Sequence, residues 1–213
     1  MWSTPRAIDA SKQFSFCTPL HINVDGREQL ILPGSNVVQS LNAQTGQELW
    51  RVRYDGYSVI PCPIYESGLI FVCTGYNRPS VIAIDPTGSG DVTDTHIQWR
   101  SNSSIPHTPS LVAFDGRIAM VSDKGIATAF DATTGRQLWR VRVGGNFSAS
   151  PLLAGTQLFL LSEEGVCTIL DIQDTPQEIA KNEIGERCLA SMAVVENDLL
   201  LRSAYAIYRI SEQ

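Results

Sequence analysis

The sequence lacks any apolar run approaching the roughly eighteen residues that a membrane-spanning helix needs. It also lacks a basic head followed by an apolar block. The start, Met1-Trp2-Ser3-Thr4-Pro5-Arg6, therefore does not read as a signal peptide. No cluster of Lys or Arg stands out, and the net charge is −6. Nucleic acid is not an expected partner, because phosphate binding needs concentrated positive charge. The five cysteines, Cys17, Cys62, Cys73, Cys167 and Cys188, form no CxxC pair. They read as small buried apolar residues, and a Cys17–Cys62 disulfide stays open as an alternative. His21, His96 and His107 have no ligand spacing to one another or to the cysteines, so no metal site is expected. No amphipathic helix pattern stands out either.

What is present is a repeat. Ala129-Phe130-Asp131-Ala132-Thr133-Thr134-Gly135-Arg136-Gln137-Leu138-Trp139 recurs as Leu41-Asn42-Ala43-Gln44-Thr45-Gly46-Gln47-Glu48-Leu49-Trp50. A third copy runs from Ile84-Asp85-Pro86-Thr87-Gly88 through an insertion to Ile97-Gln98-Trp99. Each copy predicts a strand, a tight turn and a second strand. The Asn42 or Asp131 side chain can cap the turn, and Gly46 or Gly135 can take a positive φ. Along the second strand Trp139 and Val141 face one way, Leu138 and Arg140 the other. A second marker is a small residue and Pro ahead of an apolar strand. Pro19, Pro63, Pro109, Pro151 and the equivalent Met192 lie 44, 46, 42 and 41 residues apart. That period matches a four-stranded propeller blade.

Each unit reads as strand A, a hairpin turn, strand B, a polar loop, strand C, and a strand D carrying the Trp. The A–B turns are expected at Asp25-Gly26, Ser67-Gly68, Asp115-Gly116, Gly155-Thr156 and Asn197-Asp198. Residues 180–186 read as a strand D. The chain begins around Trp2 on a strand D and ends on strands A, B and C. The fold class is therefore all-β: one β-propeller segment over residues 1–213, with four complete blades and two part-blades. The predicted boundaries are 1–16 for the terminal strand of a preceding blade, blades at 17–61, 62–107, 108–149 and 150–190, and a partial blade at 191–213. Two architectures fit. The ends pair and close a five-bladed ring, or the chain is an open arc; the arc is the expectation.

The AxDxxTGxxxW text with a Pro-led strand A resembles the quinoprotein-type, PQQ-like propeller repeat. That family includes BamB-like outer-membrane assembly scaffolds and planctomycete-type repeat proteins. The resemblance implies closed rings of seven or eight blades, with Trp50, Trp99 and Trp139 docking each blade on its neighbour. Ile179 or Ala180 stands where the fourth Trp would be. It implies a non-catalytic scaffold that binds other proteins in the periplasm, the cell envelope or outside the cell. If the chain is a fragment, its partners include the remaining blades of the same polypeptide. The alternatives are a fragment of a PQQ-dependent dehydrogenase, or a sugar- or polymer-binding propeller. Dehydrogenases of this family use an Asp base, Glu and Asn calcium ligands and often adjacent cysteines. No such set stands out here, so neither PQQ nor calcium, and no catalytic residue, is expected.

The remaining charged stretches read as surface. The three carboxylates of the 85–94 insertion lack the alternate ligands of a calcium loop and read as a long solvated turn. Glu163 and Glu164 are adjacent and point apart. Arg51, Arg100 and Arg140 follow the Trp on outer strands, where charge discourages edge pairing. The candidate binding face is the side where D–A and B–C connections emerge. It carries Tyr57, Arg78, His107, Asn146, Phe147 and Arg187, together with Phe14, Phe16, Asn77 and Lys124. Tyr57 and Phe147 have a competing reading as plugs between blades.

Overall fold

A computed structural model describes residues 1–10 and 12–211. Among them there is no helix, and twenty strands form five sheets. The first sheet holds β1 (Leu20–Val24), β2 (Arg27–Gly34), β3 (Val37–Asn42) and β4 (Glu48–Arg53). The second holds β5 (Ile64–Glu66), β6 (Leu69–Cys73), β7 (Val81–Ile84) and β9 (Ile97–Ser101); the short β8 (Gly90–Asp91) lies in its C–D connection. The third holds β10 (Val112–Phe114), β11 (Arg117–Val121), β12 (Ile126–Asp131) and β13 (Gln137–Arg142). The fourth holds β14 (Leu152–Ala154), β15 (Gln157–Leu161), β16 (Val166–Asp171) and β17 (Gln177–Glu183). The last has three strands, β18 (Ala193–Val195), β19 (Asp198–Arg202) and β20 (Ile207–Ile210).

Local sequence explains the hairpins. At the fourth and last A–B turns only the first residue, Gly155 (59°) or Glu196 (56°), takes positive φ; at the first three, two successive residues do, as in Asp25 (51°) with Gly26 (78°) and Asp115 (46°) with Gly116 (72°). This is the type I′ geometry that matches the twist of paired strands. In the last sheet Val195 pairs with Asp198, so the turn is Glu196-Asn197, one residue earlier than the sequence suggested. Each C–D turn is built on one side-chain oxygen. Asn42 Oδ1 accepts from the Gln44 and Thr45 amides, both at 2.9 Å. Asp131 Oδ1 accepts from the Thr133 and Thr134 amides at 3.1 and 2.8 Å. Asp85 and Asp171 do the same for Thr87 and Gln173. Every C–D pair also carries a register shift in strand C just ahead of this turn.

The sheets stack face to face, with a hydrophobic cluster in each gap. Ile70, Val72, Ile82 and Ile84 pack toward the first sheet, against Ile31, Val38, Trp50 and Val52. Leu69, Phe71, Cys73, Val81 and Ala83 point the other way, into the third sheet's Ile118, Met120 and Phe130. Alternate residues of one strand thus serve two gaps, and all five residues of β6 are buried. This is why β6 and β7 read as unbroken apolar runs rather than as alternating ones. The third and fourth gaps repeat the arrangement. The outer face of the last sheet is bare: Val194 is 52% and Ile207 74% exposed.

Three expectations need correction. No strand forms around Trp2; residues 1–10 and 12–19 are irregular. The first sheet is not a plain four-stranded blade, since β8 adds to it as a fifth, parallel strand, pairing Trp50 with Gly90 and Arg51 with Asp91. The insertion is therefore a strap reaching back from the second sheet rather than a long solvated turn. Its Val92 is 3% exposed and donates its amide to Arg51 O at 2.9 Å. Among the described residues, no backbone hydrogen bond joins the first residues to β20. The sheets form an open arc.

Candidate binding face

The docking residues come first, because they set where the connections emerge. Trp99 lies between Phe71 of its own sheet (ring centroids 5.6 Å) and Phe130 of the next (6.0 Å). Its indole Nε1 donates to Ala132 O at 2.8 Å. Gly135, at φ 69°, lies under the ring, where a Cβ would fall 2.5 Å from Trp99 Cδ2. Trp2 repeats this contact on the preceding turn: its Nε1 donates to Ala43 O at 3.2 Å, and its ring lies on Gly46. So the first residues dock as a strand D would, without forming one.

The other two tryptophans differ. Trp50, fully buried, donates to Gln29 Oε1 at 2.8 Å, and Gln29 Nε2 passes a bond to Pro86 O at 3.1 Å. Pro86 follows Asp85 as Ala132 follows Asp131, so Trp50 reaches the same carbonyl position through a buried amide. Trp139 is 9% exposed, and its Nε1 has no partner among the described residues. The turn it faces, after Asp171, lacks the TG pair of the other copies. In β17, Ala180 takes the Trp register, pairing with Ile169 as Trp139 pairs with Ala129.

A second contact was not read from the sequence. Arg27 donates to Thr87 O (3.1 Å) and Gly88 O (3.3 Å), and Arg117 to Gln173 O (3.2 Å). Each Arg follows an Asp-Gly turn and grips the next sheet's C–D turn. The repeated text Asp25-Gly26-Arg27 and Asp115-Gly116-Arg117 was the available signal.

On the opposite side of the sheets, D–A and B–C connections interlock. The Tyr57 and Tyr76 backbones bond each other at 3.0 Å in both directions. Their rings stack at 5.9 Å and 25°, and Tyr57 Oη donates to Asn77 Oδ1 at 3.1 Å. Tyr76, 41% exposed, also lies against His107, with ring centroids 4.6 Å apart. The His107 amide donates to Asp123 Oδ2 at 2.8 Å, and its Nδ1 lies 3.3 Å from the same oxygen. Tyr57, Tyr76 and His107 thus form a row across three connections, and Arg78, two residues after Tyr76, is exposed. Tyr76 and Asp123 were not singled out from sequence, since each shows its place only once the loops meet.

The row continues in polar form. Phe147 N donates to Asp123 O (3.0 Å), and Lys124 Nζ to Asn146 Oδ1 (3.0 Å). Asn146 gives its side-chain and backbone N–H groups to Glu164 (2.8 and 3.1 Å). These bonds hold the exposed Glu164 carboxyl well below the usual carboxylate range, at about 2. Glu163 points elsewhere, accepting from Ser148 Oγ at 2.5 Å and lying 3.6 Å from Arg187 Nη2. Ala204 N donates to Arg187 O at 2.8 Å, which carries the chain of bonds onto the last sheet. Phe147 is 2% exposed within the third hydrophobic cluster, so it is a plug and not a surface contact. Phe14 and Phe16 are exposed and pack together at 5.7 Å.

Among the described residues no three His, Cys, Asp or Glu side chains converge, whereas calcium takes several oxygens at one point. Asp85 and Asp91 are engaged by Thr87 and by Arg53 with Thr93. All five cysteines are free; burial pushes the Cys167 thiol up to about 11. Among the described residues no helix is long and apolar enough to cross a membrane.

The comparisons with known proteins agree with this architecture. A family model of the PQQ-like repeat, described as "Outer membrane protein assembly factor BamB", matches residues 34–178. No curated protein matches significantly. Among solved structures, BamB from Moraxella catarrhalis superposes with a TM-score of 0.68 at 20% identity, covering 92% of this chain and 56% of that one. The computationally designed Ika8 protein gives 0.68 at 12%, covering 90% and 57%. Quinohemoprotein alcohol dehydrogenase from Comamonas testosteroni gives 0.59 at 13%, covering 73% and 34%. The chain spans little over half the length of the first two. At these identities the likeness is one of fold. The chain belongs to the PQQ-like β-propeller repeat family whose model is described as outer membrane protein assembly factor BamB.

Proposed function

We propose that this chain is a non-catalytic propeller scaffold that binds a protein partner through its loop face, in the bacterial cell envelope. One observation carries the reading. The Tyr57–Tyr76–His107 row and the exposed Arg78, two residues after Tyr76, lie outside every hydrophobic cluster between the sheets. Tyr and Arg are the side chains most often found as interface anchors. The interlocking backbone bonds beneath them hold the row in place before any partner arrives, which lowers the ordering cost of association. Membership of the family supports the compartment and the class of role. Further blades, supplied by the same polypeptide, would complete a ring of seven or eight.

A photocrosslinking amino acid at Tyr76 tests this in envelope extracts. One dominant protein adduct is expected, lost when Tyr57 and Arg78 are both changed to Ala. The same adduct from a crosslinker at the exposed Tyr65, on the A–B side, would contradict the reading. So would dye reduction by the purified chain that depends on added PQQ and calcium.

A further inference from the structure

The fold contains one worked example of a strand added to a blade's outer edge, and a second edge of the same sequence without one. β4 and β13 agree in five of six residues, Glu48-Leu49-Trp50-Arg51-Val52-Arg53 against Gln137-Leu138-Trp139-Arg140-Val141-Arg142. They also agree in register, Trp50 opposite Ser40 and Trp139 opposite Ala129, with the strand C shift at the same place. The edge of β4 is covered. Gly90 and Asp91 pair with it in parallel, and Val92 N bonds Arg51 O. Arg53 is held at both ends of its residue: its amide donates to Thr93 Oγ1 at 2.9 Å, and its guanidinium Nε to Asp91 Oδ2 at 2.8 Å.

β13 has none of this. It is the last strand of its sheet, and its N–H and C=O groups on that side meet no other strand. Arg140 and Arg142 are exposed, and Arg142 makes no ion pair among the described residues. The fourth sheet's C–D turn is short and sends no strap back. The other outer edges do not offer the same surface. β9 ends at Ser101, with Asn102 in the place of Arg142. β17 has Glu183 there, opposite Val166 as Arg142 is opposite Ile126.

We infer that the outer edge of β13 is a docking site for an extended acidic segment of a partner protein, which adds to it as a parallel strand. The segment has a small residue, then Asp, an apolar residue and Thr. The Asp pairs with Arg142 as Asp91 pairs with Arg53. The apolar side chain covers Leu138, the half-buried counterpart of Leu49. Backbone bonds supply affinity and the Asp–Arg pair supplies register, as in strand addition generally. The site goes beyond the loop face and lies on a different surface, so it stands or falls apart from that reading.

The probe is an acetylated peptide of residues 88–94, Gly-Ser-Gly-Asp-Val-Thr-Asp, added up to millimolar concentration to the whole chain. Amide exchange and amide chemical shifts are followed residue by residue. Slowed exchange is expected at the alternate amides of β13 that point away from β12. Arg142→Glu should weaken binding at least tenfold with an unchanged circular dichroism spectrum, and a peptide with Lys at both Asp positions should not bind. No response at β13, a response at β9 or β17 instead, or equal binding by the Arg142→Glu chain would overturn the proposal. Exposure of β4 amides would show exchange with the strap, and β13 protection in the chain alone at high concentration would show a second copy as occupant. Either result would also overturn it.

Discussion

At the scale of residues, the tryptophans are alike in text and unlike in circumstance. Trp50 is fully buried and donates its indole N–H; Trp139 is nearly as buried and does not. Replacing Trp50 by Ala should cost about 3–5 kcal/mol, as for other buried aromatic truncations. The same range is expected for Trp139→Ala. Phe substitution separates them. Trp50→Phe leaves Gln29 short of a donor and should cost ~1 kcal/mol more than Trp139→Phe, which removes a donor that was already unpaired. Urea unfolding of the two Phe variants reads the difference, and equal losses would show that the Trp50–Gln29 bond contributes nothing. Gly135→Ala puts a methyl into the Trp99 ring at a positive φ and should cost roughly 2–4 kcal/mol.

The Trp and the Gly were legible because both recur at one phase of the repeat. Gln29 and the orphaned Trp139 N–H were not, because each depends on how the neighbouring blade departs from the repeat. Glu164 adds a pH dependence. Its folded value, about 2, lies below its ordinary 4.5, so its contribution to stability is full above pH 4.5 and is lost as pH falls toward 2. Glu164→Gln should flatten the stability profile over that acid window by lowering stability at neutral pH toward its acid value, a small loss because solvent screens this exposed group, while stability near pH 2 stays unchanged.

At the scale of elements, alternation within a strand decides which gap each side chain fills. β6 and β7 serve two gaps at once, so their sequence has no polar face. That property made them easy to find and gave no hint of which neighbour each residue meets. The strap shows the opposite limit. Its text, rich in Asp, Gly and Thr, is that of a loop, and only the pairing with β4 makes it a strand. The sequence had no way to say that a turn of one sheet would cover the edge of the one before it. Removing Thr93 Oγ1 by Thr93→Ala should speed hydrogen exchange at the Arg53 amide by tenfold or more, since that N–H would then face water. An unchanged rate would mean that β8 shields the edge without this bond.

At the scale of the whole molecule, the chain is a series of sheets, the first three each docked on the next by a Trp and, in two places, by an Arg after an Asp-Gly turn. The period of the Pro-led strands and the AxDxxTGxxxW text made the series legible in advance. The loop face was legible only in part. The six residues chosen for it include one buried plug, Phe147, and omit Tyr76, which sits at the centre of the aromatic row. Loop residues carry no period, so nothing in the text orders them by position in space.

The account turns on that series being open, with its edges unequal. Hydrogen exchange of the free chain, read amide by amide along β4, β13 and β20, tests this most directly. The outward amides of β4 should be protected by the strap, and those of β13 and β20 should exchange near the rate of unstructured chain, while their inward neighbours stay protected. Protection of every amide in β20 would contradict the account, because it would mean that another strand closes the arc there.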